Sequence, residues 1–139
     1  MVFESTAAGV ALLAGRGLFA AVLGFLALGN LLDLENTVAY AEQKGAPAPR
    51  ILVPLSSVAL VAGAASILLG AFPLVGALLV VGFLVGVTPV MHDFWTEKGT
   101  DRQNEQIHFL KNAGLAGAAL VFLALSTTPW PYAVGASVA

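Results

Sequence analysis

The chain has no cysteine. It therefore has no disulfide, no thiol nucleophile, no CxxC redox pair and no cysteine-held zinc or iron–sulfur cluster. Charge is almost as scarce. Asp, Glu, Lys and Arg make up 10% of the 139 residues, where an ordinary soluble domain carries about 25%. Six basic and eight acidic side chains give a net charge of -2, which supplies no basic field for nucleic acid. They are also too few to clothe a water-exposed surface. What fills the chain instead is apolar: 58% of the residues are hydrophobic. That composition excludes intrinsic disorder and points to an integral membrane protein, a single membrane domain over residues 1–139 whose first partner is the lipid bilayer.

The run from Ile51 to Met91 holds no Asp, Glu, Lys or Arg. At about 1.5 Å per residue it makes roughly 60 Å of helix, two crossings of a ~30 Å hydrocarbon layer. Gly70-Ala71-Phe72-Pro73 lies near its middle, where a helix stops and turns. The spacing predicts spans over residues 51–71 and 74–95. Residues 9–32, broken by Arg16, and 107–125, entered through His108, Lys111 and Asn112, are long enough to add two more. The apolar runs are continuous and do not alternate, which excludes a membrane barrel. The expected fold is all-α, a four-transmembrane-helix antiparallel bundle. A short interfacial helix is expected between helices 1 and 2, because Leu34, Val38 and Ala41 share one helical face and Gly45 can end it. The first span is expected to be retained and not removed as a leader: Glu4 stands where a basic region belongs and Arg16 falls inside the apolar stretch.

Four crossings place both termini on one face, the terminal face, and residues 33–50 and 96–106 on the other, the loop face. Lys44, Arg50, Lys98 and Arg102 lie in those loops. The positive-inside rule then puts the loops in the cytoplasm and both termini outside. Trp130 and Tyr132 suit the terminal interface, Tyr40 and Trp95 the loop interface. Pairs of small residues, Ala20/Gly24, Ala62/Ser66/Gly70, Gly82/Gly86 and Gly114/Ala118, stand four apart and permit close helix approach.

Polar groups inside a span cost about 2.5–3.5 kcal/mol for a central Arg, so each needs a reason. Arg16 reads as a cation facing an internal cavity, as a side chain snorkelling to the terminal face, or as a structural donor to helix carbonyls or to Ser66. Toward the loop face, Thr88, Met91, His92 and Trp95 follow helical spacing, as do His108, Lys111 and Asn112; Asn30 and Asp33 end the first span at the same level. A short connection makes helices 3 and 4 neighbours, so His92 and His108 can approach. Three readings fit this polar rim. One is a quinone or lipid site in which His and Lys111 meet an oxygen and Phe94, Trp95 and Phe109 supply apolar walls. Bis-histidine haem ligation is chemically allowed but carries no further signature. The plainest is structural: snorkelling Lys111, headgroup histidines and an Asn112 bridge between helices. Asp93, Glu97, Asp101 and Glu105 read as solvated surface. No zincin spacing, P-loop, GxGxxG or GxSxG is present, and no metal site is expected.

His92-Asp93-Phe94-Trp95, then Gln106-Ile107-His108-Phe109-Leu110-Lys111-Asn112 and Gly114 to Gly117, resemble the third and fourth helices of the DoxX family. Arg16, Gly29, Asp33, Tyr40 and Gly45-Ala46-Pro47 are similar to the family's first half. The likeness runs from about residue 12 to about residue 125. It implies a four-helix membrane bundle associated with quinone-linked redox systems, with a membrane oxidoreductase as partner; a second copy of the chain is a further partner to expect. The chain departs from the family pattern where an acidic residue often stands in helix 2: here the stretch is Leu60-Val61-Ala62-Gly63-Ala64, and no carboxylate balances Arg16. Asn30 likewise stands where a basic residue is common. The leading expectation is thus a subunit or accessory of a quinone-linked system, binding at His92, Trp95, His108, Lys111 and Asn112 with Arg16 in a secondary role. A structural or assembly protein without ligand chemistry is the alternative, and a transporter the least favoured, since no inverted repeat or broken helix is evident.

Overall fold

The computed structural model describes residues 3 and 5–135. Glu4, invoked above against a leader, lies outside the described residues. Five α-helices follow one another: α1 (Thr6–Leu32), α2 (Leu34–Gln43), α3 (Pro49–Leu69), α4 (Pro73–Met91) and α5 (Gly99–Leu125), with a 3-10 turn at Phe94–Thr96. Four of them, α1, α3, α4 and α5, are long and apolar enough to cross a membrane, and α2 is the short helix expected between the first two. No strand occurs among the described residues.

The helix ends follow local chemistry. Ser5 accepts a hydrogen bond from the Ala8 amide at 3.0 Å and starts α1. Gly45, at φ 76°, ends the segment after α2. Pro49 and Pro73 occupy the first turns of α3 and α4, where a missing N–H costs nothing. Gly70, at φ 66°, closes α3, and Ser66 ties the turn by hydrogen bonding to the Phe72 carbonyl at 2.9 Å. The hairpin at Pro73 is therefore where the sequence placed it.

Two boundaries differ from expectation. α4 ends at Met91, with His92 at φ -125° and ψ 53°, so Trp95 does not share a helical face with Thr88 and His92. α5 begins at Gly99, well before residue 107. Hydropathy reports where lipid ends, and a helix capable of satisfying its own backbone continues past that level into water. In place of the expected loop at 96–106, the connection runs over residues 92–98, a 3-10 turn with two residues on either side, and Glu105 becomes helical.

α1 packs on α3, α3 on α4 and α4 on α5. Leu23, Ala27, Leu60, Ile67, Ala77, Val80 and Ala119 form the dry centre. Outside, Phe25 is 83% and Leu32 is 87% exposed, a surface suited to lipid. α1 and α5 meet through side chains, Phe19 lying 5.1 Å from Phe122 between ring centres.

Close packing of α3 on α4 lies at a glycine pair outside the four-apart pattern. A methyl group at Gly63 would sit 2.8 Å from Val80 Cγ2 and 3.0 Å from the Gly76 carbonyl oxygen. One added at Gly76 would overlap Ser66. Gly24, Gly82, Gly86 and Gly114 have open space beside them. The small pairs therefore mark lipid-facing positions as often as contacts, because in a membrane both sides of a helix are apolar. Gly63→Ala should lower stability by about 1–2 kcal/mol through overpacking, whereas Gly82→Ala and Gly114→Ala should leave it unchanged, as read by thermal unfolding in detergent.

Candidate functional site

At the loop-face end, α1, α2, α4 and α5 spread around a cleft of about 380 Å³. Its polar lining includes Asn30, Asp33, His92, His108, Lys111 and Asn112, joined by Asn36, Thr37 and Tyr40 of α2; Leu23, Leu26, Leu60, Phe83, Leu84 and Val87 are among its apolar residues. α1 and α5 lack a close backbone approach, so the cleft lies at the weakest seam of the bundle, with half-exposed Leu26 on its rim. A second, mostly apolar cleft of about 320 Å³ adjoins it beneath α2, sharing Asn30, Thr37, Phe83, Val87 and Met91. Ser57, 1% exposed, lines that second cleft, and its hydroxyl is the one buried side-chain polar atom without a partner among the described residues.

Four of the six expected site residues come together here. His92 and His108 stack with ring centres 5.1 Å apart at 24°. The nitrogen Nδ1 of His92 lies 2.9 Å from Oε2 of Glu105. Asn112, 7% exposed, donates from Nδ2 to Thr88 Oγ1 at 3.1 Å, bridging α5 to α4. Lys111 and His108 stand at the exposed mouth.

Trp95 and Arg16 lie elsewhere. Trp95 is exposed beside the connection and packs edge-on against Phe94 and Phe109, with ring centres 5.3 and 5.9 Å away. Arg16 is fully buried at the opposite end of the bundle. Its Nε donates to the Ile67 carbonyl at 3.0 Å and its Nη2 to Leu68 at 2.7 Å. Nη1 reaches Pro131 at 2.8 Å, and Nη2 also reaches Tyr132 at 3.1 Å. The guanidinium lies 5.3 Å from the centre of the Trp130 ring. Ile67 and Leu68 are in the last turn of α3, whose carbonyls have no helical partner and carry the negative end of the helix dipole. Carbonyls thus take the place of the carboxylate that α3 lacks.

Glu105, read from the sequence as solvated surface, instead joins this polar cluster. Tyr40 donates to its Oε1 at 2.6 Å while His92 approaches Oε2, so one carboxylate ties α2, α4 and α5 together. Burial, the hydrogen bond to Glu105 and the charge of Glu105 push the Tyr40 hydroxyl up to about 12. The signal was available: Glu105, His108 and Asn112 follow i, i+3, i+7 on one helical face, but only if the helix begins before residue 107. Beside it Lys44 bridges Asp93 at 2.7 Å and Glu97 at 3.2 Å. No group of three or more His, Asp or Glu suited to a metal occurs among the described residues.

The comparisons with known proteins agree with this architecture. The family model for DoxX matches residues 11–93. The chain belongs to the DoxX family. It is also 33% identical to the inner membrane protein YphA of Escherichia coli (strain K12) over 111 residues, 78% of this chain and 77% of that protein. No solved structure matches. This DoxX-family chain is a multi-pass membrane protein. The family match stops at Asp93, so it covers Asn30, Asp33, Tyr40 and His92 of the cleft, while Glu105, His108, Lys111 and Asn112 lie beyond it on α5.

Proposed function

We propose that this DoxX-family protein binds the polar end of a quinone-type amphiphile in the loop-face cleft, as a subunit or accessory of a quinone-linked membrane redox system. The observation that carries the reading is the cleft itself: a cluster of imidazole, ammonium and amide groups opening at a seam between membrane helices rather than into a closed core. Pockets for small amphiphiles combine such a few polar groups with apolar walls. The adjoining apolar cleft beneath α2 gives a tail a dry path. A membrane oxidoreductase, reached from the loop face, and a second copy of this chain are the partners the reading implies. Haem is not favoured: His92 and His108 stack face to face, which leaves no room for a ring between them, and His92 Nδ1 is engaged by Glu105.

The test is direct binding of a short-chain benzoquinone and of its hydroquinone to purified protein in detergent, with native lipids extracted and examined for bound quinone or quinol. His92→Ala combined with Lys111→Ala should weaken affinity for the better-bound of the two forms about tenfold or more, as expected when two polar contacts are removed from a desolvated site. Unchanged affinity, together with no quinone among co-purified lipids, sinks the reading. In the same scheme the loop face is cytoplasmic and the termini are outside. Because the chain lacks cysteine, Lys98→Cys provides a unique label; an impermeant thiol reagent added outside intact cells should leave it unmodified, and modification reverses the orientation.

A further inference from the structure

We infer that the cleft selects an amphiphile whose polar end donates hydroxyl hydrogens, a quinol-type phenol in preference to a quinone carbonyl, and that Glu105 is the positioning residue that sets this preference. The inference rests on the cleft being the amphiphile site. It begins with where the hydrogens lie. Glu105 accepts from Tyr40 at 2.6 Å, a short contact of the kind a phenol makes with an ionised carboxylate. A carboxylate that is already an acceptor can face His92 Nδ1 at 2.9 Å only if that nitrogen carries hydrogen.

A neutral imidazole has one N–H, so placing it on Nδ1 leaves Nε2 as a bare lone pair. This is the logic by which an outer carboxylate fixes a histidine tautomer beside a metal, here applied to a cleft. Among the described residues Nε2 of His92 has no hydrogen-bond partner, yet it is not one of the buried orphaned atoms; it is open, on a residue that lines the cleft. Asn112 repeats the pattern. Its Nδ2 is turned to Thr88 Oγ1, which directs its amide oxygen away from Thr88. Asp33, a third lining residue, holds Asn36 Nδ2 at 3.0 Å and is an acceptor as well.

His92 Nε2, the Asn112 amide oxygen and Asp33 are thus acceptors held in place by protein donors, while the Asn30 amide, able to donate or accept, suits either form. A quinone carbonyl, which only accepts, would face lone pairs there and lose its water hydrogen bonds without replacement. A phenolic hydroxyl would satisfy His92 Nε2 directly. Unmatched polar contacts in a desolvated site discriminate more strongly than lost apolar contact. Lys111 and His108 at the mouth can meet a second oxygen without altering this choice.

The experiment compares a short-chain benzoquinone with its own hydroquinone, kept reduced under anaerobic conditions, on the intact purified protein. It is done at pH 8, above the ordinary imidazole value of about 6.5. The hydroquinone should bind at least about tenfold more tightly. Glu105→Leu removes the acceptor that holds the imidazole hydrogen on Nδ1 and frees it to move to Nε2; the preference should shrink or vanish. Tyr40→Phe leaves the Glu105–His92 bond in place and should keep it. Nitrogen-15 NMR of labelled histidine should show the His92 hydrogen on Nδ1 in the native protein and on Nε2 in Glu105→Leu. Tighter or equal binding of the quinone, a native His92 with hydrogen on Nε2, or a preference unmoved by Glu105→Leu overturns the inference while leaving an amphiphile site intact. Binding of neither form overturns the site reading and the inference together. If Glu105→Leu does not fold, the native affinity ratio and the native tautomer decide alone.

Discussion

Arg16→Ala is expected to destabilise the bundle by about 3–5 kcal/mol, the range seen when a buried, fully hydrogen-bonded charge partner is removed. In thermal unfolding this corresponds to a loss of roughly 10 °C or more for a chain of this size. The guanidinium is fully buried and serves four carbonyls, two in the last turn of α3 and two in the segment after α5. Deleting it leaves those oxygens without donors in a place water reaches poorly. The segment after α5 should come loose as well, since Val134 then holds it to the Leu69 carbonyl by one backbone bond at 2.8 Å and Gly135 to Gly70 by a longer one at 3.3 Å. Arg16→Lys should recover part of the loss, because an ammonium supplies three donors but not the planar fork that reaches both chain segments. Arg16→Met should behave like alanine with less cavity. A melting temperature unchanged within a degree or two would restore the other reading of this residue, a cation waiting for a ligand.

Arg16 also shows what one chain can and cannot reveal about itself. A charge in an apolar run must be satisfied, and helix carbonyls were a foreseeable answer. The second pair of carbonyls was not, because Pro131 and Tyr132 lie 115 and 116 residues away. Four spans, the hairpin at Pro73 and the surface helix α2 were all legible, since each follows from hydropathy, proline and glycine acting locally. The meeting of His92, His108, Lys111 and Asn112 was legible too, through helical spacing and a short connection. Glu105 was not. It sits in a polar stretch where hydropathy implies a loop, and its partners Tyr40 and His92 come from two other elements. Trp95 was misplaced for the related reason that α4 stops at Met91. The glycine contact at Gly63 and Gly76 is not legible in one chain's spacing, because four-apart spacing describes one helix, whereas packing pairs positions on two.

Lys44→Met is expected to cost about 2–3 kcal/mol and to free α2 from the bundle. Lys44 has a side chain only 10% exposed and holds both Asp93 and Glu97, so a single cation fastens α2 to the connection between α4 and α5. Methionine keeps most of the stem but leaves two carboxylates facing each other without a counter-charge. Hydrogen exchange should accelerate across residues 34–43 while α3 and α4 stay protected; exchange unchanged in α2 would refute the latch. Quinone or quinol affinity should fall in parallel, because Thr37 and Tyr40 of α2 form part of the cleft wall. The same contacts fix the pH dependence. Burial works against the Lys44 ammonium, but its hydrogen bonds to Asp93 and Glu97 outweigh burial and raise it above its ordinary value. Tyr40 is raised to about 12 by burial and by Glu105. Both groups are therefore held protonated by the fold, so their stabilisation is fully present below their ordinary values and is lost as pH rises through the folded ones. α2 should stay docked up to about pH 10 and detach progressively toward about pH 12, and in Lys44→Met the part of that alkaline loss due to the ammonium should disappear, leaving the phenol of Tyr40 as its remaining source.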